Sequence, residues 1–246
     1  MIVEELLSLA ESELKKRAVV DARVGLSYTG VLLDDQSLGL AYSFREEATE
    51  CCEVVDKAGE LEGGAWELAK IALSPRAVDS SVGIATLNAV FNRDIKGEEG
   101  DILDFLDLKK SDKVGMVGNF RPVLERMGKN IPELYIFERR PQDEEGVYPD
   151  WAVEQLLPEV DVAIITGTTV VNKTIDRLLE LSKNAREIAI LGPSTPMAPE
   201  VFRKRGVTLL SGMVVEDVEK ALKIVSQGGG TIKLKDVSRK VNLVLK

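Results

Sequence analysis

The 246-residue sequence contains no histidine. Histidine is the commonest general base and metal ligand in proteins, and it activates the nucleophile in Ser-His-Asp and Cys-His enzymes. Its absence excludes those arrangements, so any chemistry must come from carboxylates, lysine, cysteine, hydroxyls, backbone amides or a bound cofactor. The sequence also lacks a Gly-Lys-Ser/Thr phosphate loop, which excludes a P-loop nucleotidase.

Only two cysteines are present, and they are the adjacent residues Cys51 and Cys52. Two cysteines do not make a disulfide framework. Adjacent side chains point in different directions on a strand and on a helix, so the two thiols are poorly placed to bind one metal ion. Because no further soft ligand lies nearby in the sequence, we expect this pair to be structural and not a metal site.

Long apolar runs are missing as well, since none approaches the roughly 20 residues that a membrane-spanning helix needs. The N-terminal segment is acidic, and the formal net charge of the chain is −9. An acidic surface repels a polyanion, and the basic residues of the tail are too dispersed to form a nucleic-acid site. We therefore expect a cytoplasmic protein that binds a small molecule or a metal ligand, with neither a membrane nor a nucleic acid as partner.

The first hundred residues have the pattern of a small α+β domain. Apolar residues recur at helical spacing over 2–16, and from Val19 they alternate with polar residues, as in a half-buried strand. Two further apolar runs, 30–33 and 38–44, flank a polar turn, which predicts an antiparallel meander of three strands. Helices are expected after the break at Gly63-Gly64, over 66–73 and 76–91.

From about residue 108 onward, short strands that are apolar on both faces alternate with helices. This pattern predicts a Rossmann-like, doubly wound parallel sheet covered by helices on both faces. The expected strands are 113–117, 134–137, 161–165, 187–191 and 208–210, in the order 3-2-1-4-5. The polar segment 92–101 is the expected linker, which divides the chain into domains of residues 1–107 and 108–246.

A homodimer is expected from two surfaces. Helix 76–91 is rich in small residues, and the tail after Gly230 alternates apolar and polar residues, so that it adds one or two strands. Either surface could remain partly open in a lone chain.

The candidate ligand-binding residues lie in the turns that follow the strands, because ligands of open parallel sheets bind outside the carboxyl ends of the strands. Gly118 and Asn119 follow the first strand, and Glu138 ends the second. Only Gly115 and Gly118 of a dinucleotide-binding glycine pattern are present, so Gly118 fits a simple strand-to-helix turn equally well. Glu138 fits either a ribose hydroxyl or the arginines that follow it.

Two further turns carry hydroxyl groups. Thr168 and Thr169 follow the third strand and either contact a ligand or cap a helix. Ser194 and Thr195 stand between two prolines, which stiffen their loop as a ligand site requires.

One candidate comes from the first domain. Asn88 on the small-residue helix is expected to reach across to the second domain, although a mid-helix asparagine also fits a packed amide with a backbone partner. In the predicted strand order the first and fourth strands are neighbours, so Gly118 and Ser194 should meet at one cleft between the domains.

Four motifs occur in order over residues 111–230: Val114-Gly-Met-Val-Gly118, Thr166-Gly-Thr-Thr-Val-Val-Asn172, Gly192-Pro-Ser-Thr-Pro196 and Leu210-Ser-Gly-Met213. With them the sequence resembles domain of unknown function 364, a family described as putative heavy-metal chelation. The first hundred residues resemble its companion domain, through Ser81-Val-Gly-Ile-Ala-Thr-Leu-Asn-Ala89. The resemblance implies an enolase-N-terminal-like domain, then a Rossmann-like domain, with a site in the cleft between them.

Two functions stay open at this point. The family description favours a protein that chelates a heavy metal or a metal complex in the cleft. The residue chemistry favours an enzyme that holds a nucleotide, pterin-like or other anionic cofactor, because a chain without histidine and with one adjacent cysteine pair offers few soft ligands. If a metal binds directly, carboxylates, carbonyls and hydroxyls favour a hard cation.

Overall fold

The computed structural model describes residues 1–48, 54–128, 133–141 and 144–246. Cys51 and Cys52, and the prediction made for them, lie outside the described residues. Within these ranges no helix combines the length and the apolar character needed to cross a membrane.

The first domain, here called the front domain, is a four-stranded antiparallel sheet with helices. Its elements are α1 (Ile2–Leu14), β1 (Ala18–Val24), β2 (Tyr28–Leu33), β3 (Leu38–Tyr42), β4 (Gly63–Gly64), α2 (Ala65–Ala69) and α3 (Ala77–Phe91). The strand order is β3-β2-β1-β4, with Tyr28 opposite Tyr42 in the β2–β3 hairpin. The predicted three-stranded meander is confirmed, and β4, a strand of two residues, is added to it beside β1.

Helix α3 is buried along most of its length, with every residue from Ala77 to Ala89 buried. An added Cβ at Gly83 would lie 2.0 Å from the backbone nitrogen of Ala72, and one at Gly39 of β3 would lie 1.9 Å from the carbonyl of Ala85. The small residues therefore allow close packing inside the chain. Helix α3 therefore does not supply a dimer surface, and the tail is the remaining predicted surface for a homodimer.

The second domain, here called the back domain, is a seven-stranded sheet between helices. Its elements are β5 (Lys113–Val117), α4 (Arg121–Met127), β6 (Glu133–Glu138), β7 (Val147–Pro149), α5 (Val153–Leu156), β8 (Val162–Thr166), α6 (Thr168–Val171), α7 (Ile175–Leu181), β9 (Glu187–Leu191), α8 (Pro199–Phe202), β10 (Leu209–Val215), α9 (Val218–Ser226), α10 (Thr231–Leu234) and β11 (Ser238–Val244). The strand order is β11-β10-β9-β8-β5-β6-β7. All neighbours are parallel except β11, which pairs antiparallel with β10.

The direction of winding reverses between β5 and β8. The chain runs outward from β5 through β6 to β7, then returns to β8 on the other side of β5. The sequence did not predict β7, because it has three residues and ends in a proline. Strand β7 occupies the outer position beside β6, which the predicted order gave to the third expected strand (161–165, observed as β8). The predicted order is therefore wrong at this point, and the neighbour of β5 is β8 and not β9. In the tail, Ile232 and Leu234 belong to the short helix α10, and only β11 is a strand.

One apolar core joins the two domains. Leu6 of α1 and Leu87 of α3 belong to the same buried cluster as Ile165 of β8 and Phe202 of α8. A second cluster lies around Met116 and contains Ile164 of β8, and a third packs front-sheet residues such as Leu40 against Leu222 of α9. The front domain is therefore packed onto the back domain over a broad apolar interface.

Candidate functional site

The winding reversal between β5 and β8 brings two turns together at the carboxyl edge of the back sheet. Gly118 follows β5 with φ of 95°, a left-handed value that favours glycine. An added Cβ at Gly118 would lie 3.2 Å from Cβ of Thr166, whose hydroxyl oxygen lies 3.1 Å from that of Thr168. Ligands of doubly wound sheets bind at such a reversal. Gly118 and Thr168 therefore lie together where a ligand is expected.

Asn119 and Glu138 meet beside this reversal. The Glu138 carboxylate, at the end of β6, accepts a hydrogen bond from the backbone N–H of Asn119. The two residues line a cavity of about 220 Å³, together with Arg121, Arg140, Glu144 and Val147. Both arginines are exposed, and neither forms an ion pair with a residue that the structure describes. The cavity thus combines two available guanidinium groups with two carboxylates, those of Glu138 and Glu144.

The front domain covers the reversal with residues 42–47, here called the roof segment. At one end the backbone N–H of Tyr42 donates a hydrogen bond of 2.8 Å to Oγ of Ser194. At the other end Glu47 forms an ion pair with Arg139. Because Ser194 follows β9 and Arg139 follows β6, the roof segment passes over the turns after β8 and β5, which lie between them.

The roof segment contains a strained residue. Phe44 has φ of 49°, which is rare for a bulky side chain and costs about 1–3 kcal/mol. The ring is held by Tyr42 at 5.0 Å and by the Arg139 guanidinium at 5.6 Å. Burial raises the pKa of the Tyr42 hydroxyl, and the Glu46 carboxylate adds to the rise. Strain of this kind concentrates at ligand sites, which supports a role for the roof segment.

The other predicted residues are buried away from the cavity. Thr169 donates a 2.6 Å hydrogen bond to the carbonyl of Thr166 and so completes its own turn. Ser194 and Thr195 are buried beneath the front domain. The amide nitrogen of Asn88 donates a hydrogen bond of 2.8 Å to the carbonyl of Leu40, within the front domain. That is the packed-amide alternative which the sequence left open.

The asparagine that does cross between the domains is Asn92, one helical turn after Asn88. Its amide nitrogen donates to the carbonyl of Thr195 at 3.0 Å, and its Oδ1 accepts the backbone N–H of Met197, also at 3.0 Å. Asn92 is buried, so these bonds hold the loop at residues 192–198 rigidly against the front domain. It was not predicted from the sequence, because it falls in the expected linker. The clue was a second asparagine four residues after the first.

The donor set at this site does not fit a heavy-metal ion bound directly. Nowhere in the described ranges do three His, Cys, Asp or Glu side chains form a group that could hold a metal ion. The groups at the reversal are hydroxyls, an amide and a carboxylate that already accepts a backbone N–H. Heavy, soft metals prefer thiolates and imidazoles. These groups are therefore suited to a ligand that forms hydrogen bonds and not to a soft metal ion.

A front domain with an antiparallel sheet, packed over the carboxyl edge of a mostly parallel sheet, defines a two-domain α/β protein. The chain belongs to the DUF364 family, described as putative heavy-metal chelation, whose model matches residues 101–244. A second family model, DUF4213, carries the same description and matches residues 7–91.

Known relatives share the whole architecture. The chain is 31% identical to an uncharacterised protein of Methanocaldococcus jannaschii, over 99% of this chain and 98% of that protein. A DUF364 protein of unknown function from Pyrococcus horikoshii has a similar crystal structure, with a TM-score of 0.85, 28% identity, and coverage of 99% of this chain and 100% of that one. Another, from Desulfitobacterium hafniense, has a TM-score of 0.80 and 30% identity over 98% of both chains. The two domains therefore occur together in these relatives.

Proposed function

We propose that the protein binds a small organic anion that carries hydroxyl groups, such as a sugar phosphate or the ribose phosphate of a nucleotide. The ligand lies at the carboxyl edge of the back sheet, in the cavity beside the turns that follow β5 and β6. The observation that carries this proposal is the meeting of Asn119 and Glu138 beside the winding reversal, in a cavity that also holds Arg121 and Arg140.

Three of the four charged groups of the cavity, those of Glu138, Arg121 and Arg140, have a matching partner on such a ligand. A carboxylate offers about four acceptor positions, and the backbone N–H of Asn119 uses one of them, so Glu138 can still accept bonds from ligand hydroxyls. The planar guanidinium groups of Arg121 and Arg140 match the geometry of phosphate or carboxylate oxygens. They carry this role in an otherwise acidic chain, where an anion finds few favourable places.

The size of the cavity indicates how much of the ligand it holds. Sites for whole small molecules measure about 300–1,000 Å³, and this cavity measures about 220 Å³. It therefore holds the ribose-phosphate part of a ligand, while the rest extends along the carboxyl edge of the sheet. Among the predicted site residues, Thr168 is the one nearest to the cavity on the opposite side of Gly118, and it offers a hydroxyl group.

The family description raises the expectation of a heavy metal. The described residues supply no direct ligand set for one, so in this proposal a metal enters the cleft only as part of the bound ligand. A metal ion alone and an organic anion alone are therefore the two probes that separate the functions.

The test is thermal unfolding with ribose 5-phosphate and, separately, with a panel of soft and hard divalent metals. At 100 times its Kd a ligand stabilises the fold by about 2.7 kcal/mol, which corresponds to a rise in Tm of about 5–10 °C for a chain of this size. We expect ribose 5-phosphate to give this rise. A rise with a metal alone and none with ribose 5-phosphate would refute the proposal.

A matched pair of double variants locates the binding. Arg121→Gln with Arg140→Gln removes the two cations of the cavity, and binding of ribose 5-phosphate should fall at least tenfold. Lys110→Gln with Lys183→Gln removes two exposed cations near the amino ends of β5 and β9, so it changes the net charge equally and should leave binding unchanged. Equal losses in both pairs would show that only the overall charge matters.

A further inference from the structure

Trp151 is the one aromatic side chain that is exposed among the residues that the structure describes, with 65% of its surface accessible. Large aromatic rings are normally buried, because each buries 150–250 Å² of surface when it packs. Trp151 lies in a short 3-10 helix, Asp150–Ala152, directly after β7. An indole exposed to this degree is available to a partner.

The sheet register places Trp151 close to the proposed site. Pro149, the last residue of β7, pairs with Glu138, the last residue of β6. Neighbouring strands are about 4.8 Å apart, and two further residues extend the chain by at most about 7 Å. The Cα of Trp151 therefore lies within about 12 Å of the Cα of Glu138, at the same carboxyl edge.

The cavity at Glu138 reaches the amino end of β7, the strand that leads to Trp151. Val147, the first residue of β7, lines it, and so does Arg140 from the turn after β6. A ligand whose hydroxyls contact Glu138 and whose anionic group contacts the arginines can extend the rest of its structure along the carboxyl edge of the sheet, towards the indole.

We infer that Trp151 binds the flat aromatic ring of the ligand by stacking, so that the ligand is of the nucleotide class. This inference rests on the proposed function, which concerns the ribose-phosphate part alone. A purine or pyrimidine ring stacks on an exposed tryptophan without sequence-specific hydrogen bonds, and removal of such a ring by alanine substitution weakens binding markedly.

Two ligands that differ only in the ring test the inference by calorimetry. Adenosine 5′-monophosphate carries the ring and ribose 5-phosphate lacks it, and the panel includes the other three nucleoside monophosphates. Trp151→Ala should weaken binding of at least one nucleotide about fivefold or more and leave binding of ribose 5-phosphate unchanged. Because Trp151 is exposed, the variant should fold normally.

Fluorescence gives an independent readout. The other tryptophan, Trp66, lies in the front domain with the amines of Lys15 and Lys70 over its ring at 5.7 and 6.0 Å. In a Trp66→Phe variant, which keeps a ring for those cations, the tryptophan emission comes from Trp151 alone. Nucleotide addition should quench it to saturation, and ribose 5-phosphate should not.

The outcomes separate the two proposals. If ribose 5-phosphate binds but no nucleotide binds more tightly, or if a bound nucleotide leaves the Trp151 emission unchanged, stacking is refuted and the proposed function stands. If neither class of ligand binds, both are refuted. Quenching that depends on protein concentration and not on nucleotide would assign Trp151 to contact between copies of the chain, and would also overturn the inference.

Discussion

The substitution Gly167→Ala tests how closely the turn after β8 is packed against the loop that Asn92 holds. A Cβ at Gly167 would lie 2.5 Å from Oγ1 of Thr195, 2.7 Å from its backbone nitrogen and 2.9 Å from its Cα. Two of these three atoms belong to the backbone, so rotation of one side chain cannot relieve the overlap. Either the turn or the loop must move.

The magnitude follows from two opposing terms. Gly167 has φ of −61° and ψ of −16°, which suits alanine, and the loss of chain entropy in the unfolded state favours the variant by about 0.4–1 kcal/mol. Overpacking of a buried contact costs about 1–3 kcal/mol or more, and contact with backbone places this site at the upper end. We expect a net loss of about 2–2.5 kcal/mol of unfolding free energy, or a fall in Tm of about 4–10 °C.

Thermal and urea unfolding of Gly167→Ala and of a control measure this loss. Gly64→Ala is the control, because an added Cβ there meets no atom within 4 Å and φ is −66°. The control should be neutral or slightly stabilised. Ribose 5-phosphate binding should weaken in Gly167→Ala and stay unchanged in Gly64→Ala. A Gly167→Ala protein as stable as its parent would show that the turn and the loop are not in the close contact described.

Four further expectations complete the set. Asn92→Ala leaves buried backbone groups of the loop without partners, which should lower the unfolding free energy by about 2–4 kcal/mol; an unchanged urea midpoint would contradict this. Thr168→Val keeps the side-chain shape and removes one hydroxyl, so ligand affinity measured by calorimetry should fall by about 1 kcal/mol if that hydroxyl contacts the ligand. Hydrogen bonds from Arg205, the larger cause, and from Lys204 lower the pKa of the Glu5 carboxyl from 4.5 to about 2. The contribution of this carboxylate to the stability of the fold is therefore present above pH 4.5 and is lost as the pH falls towards 2. Glu5→Gln should therefore have a lower Tm than its parent at pH 7, and the gap should close as the solution is acidified; a gap independent of pH would refute the linkage. We also expect a homodimer formed through the tail strand β11, and sedimentation of a monomer at micromolar concentration would exclude it.

Much of the fold could be predicted because most of its strands have a pattern that is recognisable in the local sequence alone. A strand buried on both faces is a short apolar run bounded by turn residues, as at β5, β8 and β9, and this pattern needs no tertiary information. Strand β7 has three residues, and none of them is fully buried, so no such run exists. The order of the strands depends on β7, and the error in the order followed from missing it.

The candidate site could be predicted from the sequence to the extent that it follows strand ends. Gly118, Asn119, Glu138 and Thr168 lie where the carboxyl ends of parallel strands must place them. The roof segment and Asn92 act through contacts between distant parts of the chain, and no spacing in the sequence encodes those contacts. The hydroxyls of the proline-rich loop looked available to a ligand, but the front domain covers them.

The apolar cluster shared by the two domains has a consequence for how the chain unfolds. Leu6 and Leu87 belong to the front domain, while Ile165 and Phe202 belong to the back domain, yet all four lie in one cluster. Cutting the chain in the linker would expose apolar surface on both fragments at about 25 cal/mol per Å². We therefore expect the two parts to melt as one cooperative unit, with a single calorimetric transition, and neither to persist as an independent protein.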